Sequence, residues 1–151
     1  MTPIQQLMLG VGASKNTYID DVFNTYAYKG NATSGRAINT GVDMTKGGMT
    51  WLKSRSSTMG NMLIDTARGA DKQIYSFNSA AESTNSGFLS AFTSTGFTLG
   101  SDGDVNSSSH TFASWSFRKA KGFFDVVTYT GNGSNRTIAH SLGCIHTCQA
   151  S

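Results

Sequence analysis

The residues able to do chemistry are few and poorly grouped. Glu82 is the single glutamate, set in the polar run Ala80-Ala81-Glu82-Ser83. Glycoside hydrolysis needs two facing carboxylates, and the aspartates mostly lie beside glycine or in turn-like runs. His110, His140 and His146 have no serine or cysteine elbow around them, which speaks against a nucleophile with its base. Asp102-Gly103-Asp104-Val105-Asn106 has the D-x-D-x-N opening of a calcium loop. However, Ser107 stands where the glycine belongs and Ala113 where the closing glutamate belongs. An Asp-Gly turn is the plainer reading, with Asp102, Asp104 and Asn106 kept as a weak candidate cation loop. Cys144, His146 and Cys148 lack the fourth ligand and the spacing of a zinc site. The expectation is a protein that is not an enzyme and carries no cofactor and no metal.

Binding chemistry is only slightly better represented. A sugar site needs an exposed aromatic ringed by amides and carboxylates, and Tyr75, Phe77 and Asn78, or Trp51, could supply one. Arg118-Lys119-Ala120-Lys121 is the one basic cluster in a chain of net charge +3. At a strand end such a cluster is usually solvated surface; its functional reading is a docking patch for an acidic shell protein, not a nucleic-acid surface. The four N-x-S/T sequons, at Asn31, Asn106, Asn132 and Asn135, read as Asn-rich turns. The opening Met1-Thr2-Pro3-Ile4 has no basic residue before its apolar stretch, so no secretory leader is expected. No apolar run approaches the roughly 20 residues that cross a bilayer.

The elements that must position these residues are strands. Ser, Thr, Gly and Asn make up 65 of the 151 residues, with one proline, and helix formers are scarce. Strand-like runs recur at 22–28, 37–39, 49–55, 62–65, 74–77, 89–92, 97–99, 111–118 and 123–129, separated by Gly, Asn, Ser and Asp. This pattern predicts an all-β fold, an antiparallel β-sandwich or jelly roll. One or two helical turns are allowed near Ala80–Ser83. Alternation assigns to the core Met49 or Leu52, Trp51, Ile64, Phe97, Leu99, Ala113, Trp115, Phe117 and Val127. Residues 1–17 read as an extended arm whose Ile4, Leu7, Met8 and Leu9 would attach to a neighbour, residues 18–122 as the sandwich, and 123–151 as a hairpin and tail.

An internal echo gives that last segment its meaning. Tyr28-Lys29-Gly30-Asn31, then Arg36-Ala37-Ile38, return about 100 residues later as Tyr129-Thr130-Gly131-Asn132, then Arg136-Thr137-Ile138. The reading is one full unit followed by the opening hairpin of a second, truncated one. A lone hairpin is unstable by itself, so it must add to its own sheet or to a neighbour's.

Five runs are shared with a recognisable module. They are Gly47–Arg55, Asp65–Gly69, Gly96–Gly100, Ala113–Ala120 and Phe123–Gly131. Together, over residues 18–143, this order resembles a module of marine and cyanobacterial tailed-phage virion proteins, itself similar to concanavalin-like sandwiches and found in tail fibres and surface appendages. The resemblance implies a bacteriophage structural protein on the particle exterior. Such modules continue past the second hairpin, whereas this chain stops, which favours a small head-decoration (capsid decoration) or appendage protein. The alternative is a tail-fibre module that binds a host surface glycan in lectin-like fashion. The implied partners are other virion proteins, capsid or tail, and further copies of the chain, with neither nucleic acid nor membrane. The implied location is the virion, assembled in the host cytoplasm. Arg118, Lys119 and Lys121 join the arm residues as assembly candidates.

Overall fold

The computed structural model describes residues 17–143. Nine strands follow one another: β1 (Phe23–Lys29), β2 (Arg36–Asn39), β3 (Gly48–Ser54), β4 (Asn61–Asp65), β5 (Lys72–Tyr75), β6 (Ser83–Thr84), β7 (Leu89–Thr93), β8 (Gly96–Leu99) and β9 (Thr111–Arg118). Two single-turn helices, α1 (Ile19–Val22) and α2 (Gly103–Asn106), and a 3-10 turn at Met44–Lys46 complete the elements. The strands form two antiparallel sheets, one of six in the order β1-β9-β3-β4-β5-β6 and one of three in the order β2-β8-β7. The expected all-β sandwich is therefore the fold.

Between the sheets lies one core. Ile38, Leu89, Phe97 and Leu99 from the smaller sheet meet Leu52, Met62, Ile64 and Phe112 from the larger, with Tyr28, Phe88 and Val105 closing one end. Tyr28 stacks on Phe112 at 5.2 Å between ring centroids, and its hydroxyl donates to the Val105 carbonyl at 2.8 Å. Burial pushes the Tyr28 hydroxyl far above its ordinary pKa, against the lowering pull of Arg36. Gly96, at φ +150°, brings β8 so close to β2 that a Cβ there would lie 2.1 Å from the Ile38 carbonyl oxygen.

The alternation in β3 and β9 is real, but the buried face is the opposite of the expected one. Phe112, Ser114 and Ser116 of β9 point inward, with Thr50, Leu52 and Ser54 of β3, whereas Ala113, Trp115, Phe117, Met49 and Trp51 are half-buried on the outer side. Ile64, Phe97, Leu99 and Leu52 are core as expected; Val127, at 40 % exposed, is not. Small side chains go inside because the three-stranded sheet brings its own bulk, Phe97 and Leu99, to the interface. The aromatics then pack on one another outside, Trp51 against Trp115 at 5.4 Å and Phe23 against Phe117 at 5.0 Å.

Two element expectations also change. Ala80–Ser83 forms no helix; Ser83–Thr84 instead pairs with β5 as β6. Residues 123–143 carry no strand, only the isolated bridge of Ala120 with Phe124. The cause is visible in the first copy. Its two strands do not form a hairpin with each other, because β1 pairs with β9 in the large sheet and β2 with β8 in the small one. The motif is a corner that steps between sheets, and among the described residues no strand lies beside the second copy.

Candidate assembly surface

The two copies of the corner are built by the same local devices. In the first, the Asn24 side chain accepts from the Thr25 amide at 2.7 Å and donates to the carbonyl of the Thr40–Gly41 peptide. In the second, Asp125 accepts from the Val126 amide at 3.0 Å and from the N–H of the His140–Ser141 peptide at 2.6 Å. The exchange of Asn for Asp matches the exchange of a bonded C=O for a bonded N–H, since a carboxylate only accepts. Asn31 and Asn132 each accept from the amide two residues on, at 3.0 and 3.1 Å. Such a side-chain turn favours a left-handed next residue, and Ala32 (φ 58°) and Gly133 (φ 72°) take that conformation. Arg36 lies over the Tyr28 ring at 5.6 Å, and Arg136 over Tyr129 at 5.1 Å. Each guanidinium also donates to the carbonyl of the residue after its tyrosine, Lys29 or Thr130. At the far end the Val42 amide donates to the Thr40 hydroxyl, and the Leu142 amide to His140 Nδ1. Phe23 and Phe124 flank the same ring, Phe117, at 5.0 and 5.3 Å.

What differs is the seat. The first corner closes over α2 and its flanks. Asn106 is fully buried; its side chain accepts from the Asn31 amide at 3.0 Å and donates to the carbonyls of Thr33 (2.9 Å) and Gly100 (2.8 Å). The Gly30 amide donates to the His110 carbonyl at 3.0 Å and the Ala32 amide to the Asn106 carbonyl at 2.7 Å. A Cβ on Gly30 would stand 2.1 Å from the Ser107 carbonyl oxygen. The second corner instead curves around an open hollow of about 400 Å³ lined by Tyr129, Asn132, Arg136 and Ile138. Gly131 and Gly133 have nothing within 4 Å of a built Cβ. Tyr129 is 67 % exposed where Tyr28 is 6 %. At its root the second corner is fixed. Lys119 pairs with Asp125 at 2.9 Å, and the Gly122 amide donates to the Leu142 carbonyl at 2.7 Å. The Lys119 ammonium, then the Ser141 amide, hold the Asp125 carboxyl at about 2, well below its ordinary value.

Other candidates take structural posts. Asp102 caps α2, accepting from the Asp104 amide at 2.9 Å and the Asn85 amide side chain at 2.9 Å. With Asn106 turned inward, the Asp102–Asp104–Asn106 loop does not converge on a cation. Desolvation and then the neighbouring Asp102 raise the Asp104 carboxyl. Asp65 accepts from the amides of Ala67 and Arg68 at 3.0 and 2.9 Å, and from Arg68 Nε at 2.6 Å. Arg68 Nη1 lies 3.6 Å from Glu82, so one guanidinium ties both carboxylates. These groups, with Met49, Ile74 and Val126–Tyr129, line a cleft of about 430 Å³ between the outer sheet face and the second corner. His110 meets Ser56 at 3.3 Å, a pair that sequence reasoning missed, but Ser56 is exposed and already accepts from the Thr111 amide.

Of the sugar-site residues, Tyr75 is bonded to Ser83 at 2.9 Å, Phe77 lies over Gly60, and the Trp51 indole donates to Asn61 at 3.3 Å. In the basic cluster Arg118 is half-buried, Lys119 is paired with Asp125, and the Lys121 stem lies against Gly143. Ile4, Leu7, Met8 and Leu9, and Cys144, His146 and Cys148, lie outside the described residues.

Residues 19–148 match the family described as a domain of unknown function (DUF7483), and the chain belongs to it; both corners fall inside the matched span. No curated protein and no solved structure matches the chain.

Proposed function

We propose, from the resemblance of its ordered motifs to virion modules and the geometry of its two corners, that this chain is a non-enzymatic structural protein of the exterior of a tailed-phage particle, a small head-decoration or appendage protein whose work is to hold neighbouring subunits. The observation that carries this reading is the second corner: a loop without strands of its own, fixed at its root, that offers backbone groups and a tyrosine to solvent. Chain segments whose backbone groups are unpaired can recruit another chain by pairing with its strand edge. The carboxylates of Asp21, Asp43, Asp65, Asp102 and Asp125 support the same reading, because each already serves a backbone or side-chain partner. The ordered motifs shared with virion modules supply the particle.

A receptor-binding, lectin-like tail-fibre module is the second reading. The cleft that sets Arg68 and Glu82 beside the exposed Tyr129 ring favours it, since sugars are held by a ring face with polar groups around it. Incubation with bacterial surface polysaccharides separates these readings. The structural role predicts no new reducing ends and no binding on a glycan array. Cleavage abolished by Glu82→Gln or Asp65→Asn would establish an enzyme, and saturable glycan binding lost in Tyr129→Ala would establish the lectin.

A further inference from the structure

We propose that the second corner, residues 124–142, is a docking element for the sandwich of another copy of this chain, where it takes the seat that residues 23–42 occupy: the edges of β8 and β9 and the Asn106 turn. This assignment of a partner rests on the reading of the chain as an assembly protein.

The argument is one of matched chemistry. In the first corner, three side chains meet the seat: Tyr28, Ile38 and Val42, at 6 %, 2 % and 0 % exposed. The second corner carries Tyr129, Ile138 and Leu142 at the matching places, the first exposed and the others half-buried. The groups that shape the loop are also present, from Asn132 and its left-handed neighbour Gly133 to the Arg136–Tyr129 stack. A surface loop needs none of this set to stay in water, whereas a loop that must close over an Asn106 turn needs all of it. The hollow under the second corner is where that turn would enter, since Asn132 and Ser134, which line it, match Asn31 and Thr33, which bond Asn106 in the first. The amides of Gly131, Asn132 and Gly133 then find the acceptors that Gly30, Asn31 and Ala32 find at His110 and Asn106. Among the described residues those three amides have no protein acceptor. The partner is thus specified: a family sandwich whose own first corner has been displaced, joined head to tail.

A co-refolding experiment with full-length chains tests this. The acceptor is a tagged chain with Ile38→Asp, which cannot seat its own first corner, and Ile138→Asp, which cannot donate its second. It is refolded from denaturant together with the untagged, unsubstituted chain. The proposal predicts that the tag captures the untagged chain in equal amount. A donor carrying Ile138→Asp should be captured about tenfold less or worse, the least that burying a carboxylate in an apolar seat should cost. Capture that ignores Ile138→Asp, or no capture of the unsubstituted donor, overturns the proposal, whether or not the acceptor folds alone. Failure here leaves the location of the protein on a particle untouched, and absence from particles leaves this exchange untouched.

Discussion

Replacing Asn106 by alanine separates the seated corner from the open one. The side chain is fully buried and makes three hydrogen bonds, to the Asn31 amide, the Thr33 carbonyl and the Gly100 carbonyl. A net value of about 1 kcal/mol each sets a floor of about 3 kcal/mol. The Gly100 carbonyl is left without that donor in a buried site, which adds about 1 kcal/mol more, while water can reach the two partly buried partners. Asn106→Ala should therefore cost about 3–4 kcal/mol, a large part of the roughly 5–15 kcal/mol that holds a domain together. In the open corner, Asn132→Ala removes only an exposed turn bond and should stay within about 0.5 kcal/mol. Urea unfolding followed by tryptophan fluorescence gives both numbers. A loss below about 1 kcal/mol for Asn106→Ala, or equal losses for both variants, would refute the argument that Asn106 seats the first corner.

Three further outcomes follow from the same contacts. Gly30→Ala forces a Cβ against the Ser107 carbonyl and should cost about 2–3 kcal/mol, whereas Gly131→Ala, in open space, should be neutral in thermal melts; a tolerated Gly30→Ala would contradict the close approach. Thr50 and Ser116 face each other across β3 and β9 with buried hydroxyls that bond to nothing, so Thr50→Val with Ser116→Ala should leave stability unchanged or raise it by about 1 kcal/mol, and a clear loss would reveal a partner for them. The Asp125 carboxyl is held at about 2, below the ordinary value of about 3.9. Its contribution is therefore complete above the ordinary value and is lost as pH falls from about 5 toward 2. The protection of the Ser141 amide, its exchange rate relative to an unstructured peptide at the same pH, should fall across that window, and constant protection would contradict the tie.

Most of the strand positions were legible because glycines and asparagines punctuate them, and Thr111–Arg118 alternates plainly. Which face of that strand is buried was not legible. Ala113-Trp115-Phe117 is the more apolar set, yet Phe112-Ser114-Ser116 faces the core because the opposing sheet fills it with Phe97 and Leu99. Alternation fixes the period; the packing partner fixes the phase. The same limit applies to the C-terminal repeat. The echo of Tyr-x-Gly-Asn and Arg-x-Ile suggests a second copy, and the two segments share their turn bonds and their Arg-over-Tyr stacking. Two strand-like runs that flank a Gly-Asn turn are also the pattern of a hairpin. The first copy is a corner between sheets, and no local signal distinguishes the two. That Asn106 is a buried anchor and not a cation ligand was hidden for a related reason: two of its three partners, Asn31 and Thr33, are distant in sequence, and only the fold creates their approach.

The central claim, that the chain is a fixed component of a particle surface, is tested most directly by immunogold electron microscopy of purified particles from the source lysate, with an antibody against the folded protein. The account predicts label at regular positions on the exterior of the particles, retained through a density gradient. Label confined to the soluble fraction of the lysate, with bare particles, would contradict it.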